Sequence, residues 1–492
     1  MIAGLWWLAA CGGAPPEASS VPPEPVAQVA QADRRLVLFI SVDQLPVRLL
    51  ARAQPMLSPN GGFARLSRGF SATARHAHSD TTTCAGHATL STGASPTKSG
   101  VIGNYWKGGD KLVYCVDPDG DGVMDVGALR ADAAADRVID AGGRVVSVGL
   151  KDRSPLMLGG HRPSAVVFID KEKQAFRGAP FAESVPVQLG SPWTLSADVA
   201  HPGPDAGPFE MDRCGTAFPH PTDSLDCWLR SPQSGTALTD VALAALTAYH
   251  LGDGQQPDLL AVAYSHIDYI GHTYTAESWE SLDAILQLDR DLGRLLDGAE
   301  AAAPGRWAAV LSSDHGAIPG DGPRVQVQPA LAAARKAAVA AGAPDAELMF
   351  DPPNVWLPSG TDAAVREAAS QAVAQAFRAQ AGVAGAWAWR TDAPPAAVSL
   401  STDPERSGDV YVLLNEATQW QDGPAVGTEH GLPYDHDQLV PLLAVGAGVR
   451  SGVASGEVDT RQVAPAVTAL LGVPPPRDAE RSAPPELLAG PP

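Results

Sequence analysis

Basic residues are in short supply. Lysine and arginine total 35 against 55 aspartates and glutamates, a formal net charge of -20. That balance excludes a nucleic-acid binder, which needs a basic face. It does not exclude an anionic substrate, because a metal centre reverses the sign of the field locally. No apolar run is long enough to cross a bilayer as a mature helix, and no internal repeat is evident. With 45% apolar and 18% charged residues, the composition is that of a folded soluble protein. A length of 492 residues admits several domains, but large α/β enzymes of this size also run as one unit with insertions.

Cysteine is also sparse, at five. One of them closes the leader MIAGLWWLAAC, where Leu8-Ala9-Ala10-Cys11 resembles a bacterial lipoprotein cleavage box. The expectation is a signal over 1–11, a lipid on Cys11 as the membrane attachment, and an exported protein in the periplasm or on the outer membrane. The basic start usual for such a leader is missing, so Met1 need not be the true start. Residues 12–34, rich in Pro, Ala and Glu, cannot bury a core and read as an extended tether. Cys84, Cys115, Cys214 and Cys227 remain, an even number that permits disulfides in an oxidising compartment. Cys214 with Cys227 is the favoured pair, bracketing GTAFPHPTDSLD; Cys84 with Cys115 is weaker, and free buried thiols are the alternative.

The rest of the chain alternates between two patterns. RLVLFISVD (35–43), RVVSVGL (144–150), DLLAVAYS (258–265), WAAVLSSD (307–314), VYVLLN (410–415) and LVPLLAVG (439–446) are mostly continuous apolar runs ending in polar residues. Such runs suit strands buried on both faces of a mainly parallel sheet. Segments 236–251, 281–302, 329–342 and 361–380 repeat apolar residues at helical steps, with Thr236, Ser281 and Thr361 as N-caps at three of their starts. The fold class is therefore α/β, a mainly parallel central sheet flanked by helices. The less regular region 105–235 reads as holding cap insertions, and the Pro-rich tail 478–492 as mobile.

Ligands of open α/β sheets bind beyond the carboxyl ends of the strands, and Asp and His collect there. Asp43 lies in SVDQ, Asp268 and His272 in SHIDYIGH, Asp314 and His315 in SSDHG, and His430 and His436 in TEHGLPYDHD. Carboxylate with imidazole is the donor set of zinc or a similar borderline metal. A separate run, DPDGDGVMD, spaces Asp117, Asp119, Asp121 and Asp125 like part of a calcium loop. It lacks the acid of the last position, where Ala128 stands, so a weak Ca2+ site and a solvated acidic turn are equal readings.

In this order and at these strand ends, the segments resemble the alkaline phosphatase superfamily, closest to the bacterial phosphate-irrepressible alkaline phosphatases. These share a core with nucleotide pyrophosphatase/phosphodiesterases. The resemblance covers roughly residues 35–477 as one catalytic domain, and RQVAPAVTALLGVPPP (461–476) looks like the family's last helix. It implies two Zn2+ ions, or other divalent metals. Asp268, His272 and His430 would hold one, and Asp43, Asp314, His315 and the nucleophile's oxygen the other. His430 is preferred to His436 because it directly precedes Gly431, as the family's ligand does.

The resemblance also picks one hydroxyl out of TTTCAGHATLSTGASPTKSGVIGN (81–104). The family's nucleophile stands four residues before a His and leads into a helix, which makes it Thr83, ahead of His87. A helix N-terminus suits a phosphate, and a metal is what makes a threonine hydroxyl nucleophilic. Cys84-Ala85 stands where the family usually has Pro, so the turn's angles are not preset. The sulfatase pattern, which needs Pro and Arg after the nucleophile, is absent. Asn104 corresponds to a phosphoryl-oxygen ligand, while Lys151 and Arg153, two apart after a strand, would face one pocket from an extended backbone. Two cations suit a dianionic monoester. The implied activity is phosphate-monoester hydrolysis through a phosphothreonine, with small phosphate esters as partners. A phosphodiesterase on the same core and a non-catalytic surface binding lipoprotein are the alternatives.

Overall fold

The computed structural model describes residues 36–196, 214–423 and 427–489. The leader, Cys11 and the tether lie outside the described residues, as does the very end of the tail.

The elements that matter here follow in chain order. They are β1 (Leu36–Val42), β2 (Phe70–Arg75), α1 (Thr83–Thr92), β3 (Tyr105–Gly108), β4 (Lys111–Tyr114), β5 (Arg144–Gly149) and α2 (Arg153–Gly159). Then come β6 (Ala165–Asp170), β7 (Ala175–Arg177), α3 (Pro232–Ala248), β8 (Asp258–Tyr264), α4 (His266–Tyr274), α5 (Trp279–Ala302), β9 (Trp307–Ser312), β10 (Leu439–Gly446) and α6 (Val463–Leu471).

One ten-stranded sheet organises the molecule, running Gly452–Val453, β2, β10, β9, β1, β8, β5, β6, β7, with Val458–Asp459 also on β2. The central pairs β9–β1, β1–β8, β8–β5 and β5–β6 are parallel, whereas β10 runs antiparallel to both β9 and β2. The mostly parallel sheet expected from the apolar runs is present. Strand alternation explains why those runs are unbroken. Leu36, Leu38, Ile40 and Val42 enter one core, with α3 and α5, while Val37 and Phe39 enter the other, with α6.

Several expectations need correction. The segment 410–415 does not join the main sheet. Val410–Leu414 belongs to a separate antiparallel sheet with Met349–Asp351, Asn354–Trp356 and Val383–Trp387. A short apolar run does not say which sheet it enters. Region 105–235 supplies β5, β6 and β7 to the main sheet, and the β3–β4 hairpin stands outside it. The helix caps also shift. Ser278 and Asp362 accept backbone N–H bonds where Ser281 and Thr361 were expected. Thr236 lies inside α3, which starts at Pro232, and its hydroxyl donates to Asp291 instead. The described tail is not free: Leu487 is fully buried, and Glu480 accepts from Ser95 N–H and Arg461.

Both cysteine pairs close as disulfides, Cys84–Cys115 and Cys214–Cys227. Every residue of α1 is buried. Two of its hydroxyls are satisfied within the helix, Ser91 and Thr92 donating to the Ala88 carbonyl, while Thr89 Oγ1 is buried without a partner. Gly86 lets α1 press against the turn after β9, for a Cβ there would lie 2.1 Å from the Asp314 carbonyl oxygen. Gly86→Ala should therefore cost about 1–3 kcal/mol of stability by overpacking, read by urea denaturation. An unchanged midpoint would contradict so close an approach.

Candidate active site

Three neighbouring parallel strands, β8, β1 and β9, run in one direction and end at the same edge. Each is followed within a few residues by a carboxylate: Asp268 after β8, Asp43 after β1 and Asp314 after β9. All three are buried, at 1% exposure or less. Asp268 sits in the first turn of α4, whose helical spacing puts His272 on the same side, with Nε2 3.2 Å from Asp268 Oδ1.

Two groups of donor atoms converge: Asp43, Asp314 and His315 form one, and Asp268, His315 and His430 the other. The first is the expected set. In the second, His315 stands where His272 was expected, because its ring stacks on His430 with centroids 3.6 Å apart. His272 stays close, its ring centroid 5.3 Å from that of His430. His436 lies apart, its Nε2 accepting from the Ala417 N–H.

The donors are set to face a cation. His430 Nδ1 bonds the Thr81 carbonyl and His315 Nδ1 the Gly316 carbonyl, each at 2.9 Å, so each Nε2 carries the lone pair. His315 Nε2, Asp43 Oδ1, Asp268 Oδ1 and Asp314 Oδ2 are all buried and make no well-aligned hydrogen bond, although His272 Nε2 lies 3.2 Å from Asp268 Oδ1 and His87 Nδ1 3.0 Å from Asp314 Oδ2. Such oxygens and an imidazole lone pair turned inward fit a divalent metal.

The electrostatics agree. Burial, then repulsion from Asp268 and Asp314, pushes Asp43 up to about 6. Burial works to raise Asp268 as well, but His272 and Lys151 overcome it and hold it well below the usual carboxylate range. Burial also opposes charge on His272, yet Asp268 and Glu429 raise it to about 9. Lys151 answers the excess negative charge directly: its ammonium bridges Asp43 Oδ2 at 2.6 Å and Asp268 Oδ2 at 2.5 Å, and lies 3.5 Å from Thr83 Oγ1.

Thr83 is the first residue of α1, behind Thr82 as N-cap. Asn104 Oδ1 accepts from the Cys84 N–H at 3.0 Å, leaving its Nδ2 as a donor beside Thr83. The extended Lys-x-Arg backbone is not found. Asp152 caps α2, so Arg153 begins a helix and the two cations take different hydrogen-bond partners, though both stay near Tyr269. Lys151 reaches the carboxylates, while Arg153 donates to the Tyr114 hydroxyl at 3.1 Å. Asp117, Asp119 and Asp121 come together, whereas Asp125 turns to the Gly127 N–H. This is an exposed acidic turn, and no role is assigned to it.

Some contributors were not read from the sequence. His87, noted there only as a spacing marker, binds the Thr83 carbonyl through Nδ1 at 2.9 Å and lies 3.0 Å from Asp314 Oδ2, tying Thr83 to that carboxylate. Tyr114 anchors Arg153 while donating to Asp152 at 2.6 Å. Nothing in a strand such as KLVY signals a site residue.

The family model described as type I phosphodiesterase / nucleotide pyrophosphatase matches residues 37–432. Alkaline phosphatase PhoK of Sphingomonas sp is 27% identical, the alignment covering 92% of this chain and 90% of PhoK. Among solved structures, wild type alkaline phosphatase PafA superposes with a TM-score of 0.83 at 22% identity, over 93% of this chain and 99% of that one. So does a PafA mutant with one threonine, one asparagine, one lysine and one arginine replaced, at 0.82 and 21% identity, with the same coverage. Murine ectonucleotide pyrophosphatase / phosphodiesterase 5 reaches 0.56 at 14% identity, over 89% and 95%.

Chelation should lower the melting temperature by a few degrees at pH 8, and an added divalent metal should restore it. A ligand at a hundredfold its Kd contributes about 2.7 kcal/mol by mass action. A melting temperature indifferent to chelator would mean that these donors hold no ion.

Proposed function

The chain belongs to the type I phosphodiesterase / nucleotide pyrophosphatase family, and from that premise we propose that it hydrolyses phosphate monoesters at a two-zinc centre through a phosphothreonine on Thr83. It is a phosphoric ester hydrolase that binds divalent metal, so the non-catalytic alternative falls. In this reading Asp268, His272 and His430 hold one ion, with His315 close by, and Asp43, Asp314, His315 and Thr83 Oγ1 the other. The ions supply Lewis acidity, lowering the pKa of the Thr83 hydroxyl and neutralising the leaving oxygen.

The chain's own groups do the rest. The N-terminus of α1 favours the incoming anion. Thr83 Oγ1 attacks phosphorus, the bond to the leaving oxygen breaks, and water later cleaves the phosphothreonine, in two in-line displacements. Lys151 Nζ lies 3.5 Å from Thr83 Oγ1, placed to meet negative charge that develops there. Asn104, its Oδ1 occupied, offers Nδ2 to a phosphoryl oxygen. Arg153, anchored by Tyr114, offers its remaining guanidinium donors.

The observation that carries the monoester reading is the Lys151 ammonium 3.5 Å from Thr83 Oγ1 with Asn104 on the neighbouring Cys84 N–H; Arg153, held by Tyr114, is proposed as the third donor. A monoester's phosphoryl group has three terminal oxygens for them, whereas a diester leaves one donor without a charged oxygen. The four residue types also match those replaced in the PafA mutant. The family's description keeps diester cleavage as the second reading. Export as a lipoprotein on Cys11 belongs to the proposal too, supported by two disulfides that suit an oxidising compartment.

With zinc-loaded protein, p-nitrophenyl phosphate should be cleaved far faster than bis(p-nitrophenyl) phosphate. Thr83→Ala should lower monoester turnover by about a thousandfold or more. Arg153→Ala should lower monoester kcat by about 10²–10³-fold and spare the diester. Faster diester turnover, unaffected by Arg153→Ala, would move the protein to the second reading.

A further inference from the structure

The β3–β4 hairpin, YWKGGDKLVY, has two different faces. Trp106 and Val113 point into a buried cluster with Cys84, Ala88 and Trp356. Tyr105 and Tyr114, directly opposite one another, share the other face. Their rings stack with centroids 5.1 Å apart and planes 29° apart.

That second face is turned to the active site, because the Tyr114 hydroxyl accepts from Arg153 and donates to Asp152. Both ends of the hairpin are fixed there. Asn104 precedes it and holds the Cys84 N–H; Cys115 follows it, bonded to Cys84 and donating its N–H to the Asn104 carbonyl at 3.0 Å. The ring next to Asn104 is nevertheless 41% exposed, and Tyr105 is the one aromatic among the exposed large apolar side chains of the described residues. Packing does not require a ring there, since the buried face of the hairpin is already filled.

A leaving group departs on the side of phosphorus opposite Thr83, away from the buried helix and toward solvent. We infer that Tyr105, backed by Tyr114, is a leaving-group shelf, and that the preferred substrates are monoesters whose leaving group carries a planar aromatic ring. The inference rests on the monoester reading. Stacking on an exposed ring corresponds to about a three- to tenfold preference.

The test compares benzyl phosphate with cyclohexylmethyl phosphate, leaving alcohols of similar size and acidity that differ in having a planar ring. The zinc-loaded wild type should favour the benzyl ester three- to tenfold in kcat/KM. Tyr105→Ala should bring that ratio to about one and leave inhibition by inorganic phosphate unchanged, and Tyr105→Phe should keep the ratio. A wild-type ratio of one, or equal losses on both esters in Tyr105→Ala, would overturn the shelf. Calorimetric binding of benzylphosphonate and cyclohexylmethylphosphonate reads the same ratio without turnover. No hydrolysis with the binding preference retained fails only the monoester reading, while equal affinities overturn the shelf.

Discussion

Three carboxylates buried side by side set the terms for the rest of this structure. Asp43, Asp268 and Asp314 follow adjacent parallel strands, so the sheet itself forces them together. Taking unpaired charges out of water costs several kcal/mol each. The fold supplies cation where it can, through the Lys151 ammonium between Asp43 and Asp268 and through His272 beside Asp268. Asp43 Oδ1, which no hydrogen bond satisfies, is left facing a group of donors that could hold a divalent metal. Stability, metal affinity and chemistry are thus one electrostatic problem, concentrated at the carboxyl edge of β8, β1 and β9.

Thr83 is delivered to that edge from the side. Helix α1 is buried along its length, with Gly86 against Asp314 and His87 linking the Thr83 carbonyl to the Asp314 carboxylate. The turn after Thr83 is Cys84-Ala85, with no proline to preset the backbone. A covalent link takes that part, since Cys84 is bonded to Cys115 and its N–H to Asn104. Thr83 and Asn104 are therefore tied into one assembly with the hairpin without a proline.

Much of this was legible before any coordinates. Apolar runs buried on both faces announce a parallel sheet, and an acid at the end of such a run has few structural uses. Spacing found Asp268 with His272, because four residues make one helical turn. What escaped depends on tertiary packing. That His315 stands between the two donor groups follows from its stacking on His430, two distant segments. That Lys151 and Arg153 take different partners follows from a helix starting at Arg153 behind Asp152, which a two-residue spacing cannot reveal. Leu487 lies in a Pro-rich tail that composition marks as loose, yet one buried leucine and an ion pair hold it down. The hairpin and its paired tyrosines carry no motif, and only their register places them beside the site.

The account stands or falls on Thr83 as the attacking group. The most direct measurement is the stereochemical course at phosphorus, using a monoester made chiral with oxygen isotopes and an alcohol as the phosphoryl acceptor. Two displacements through a phosphothreonine predict net retention of configuration. Inversion would mean a single direct attack by the acceptor, with Thr83 no more than a ligand in the site.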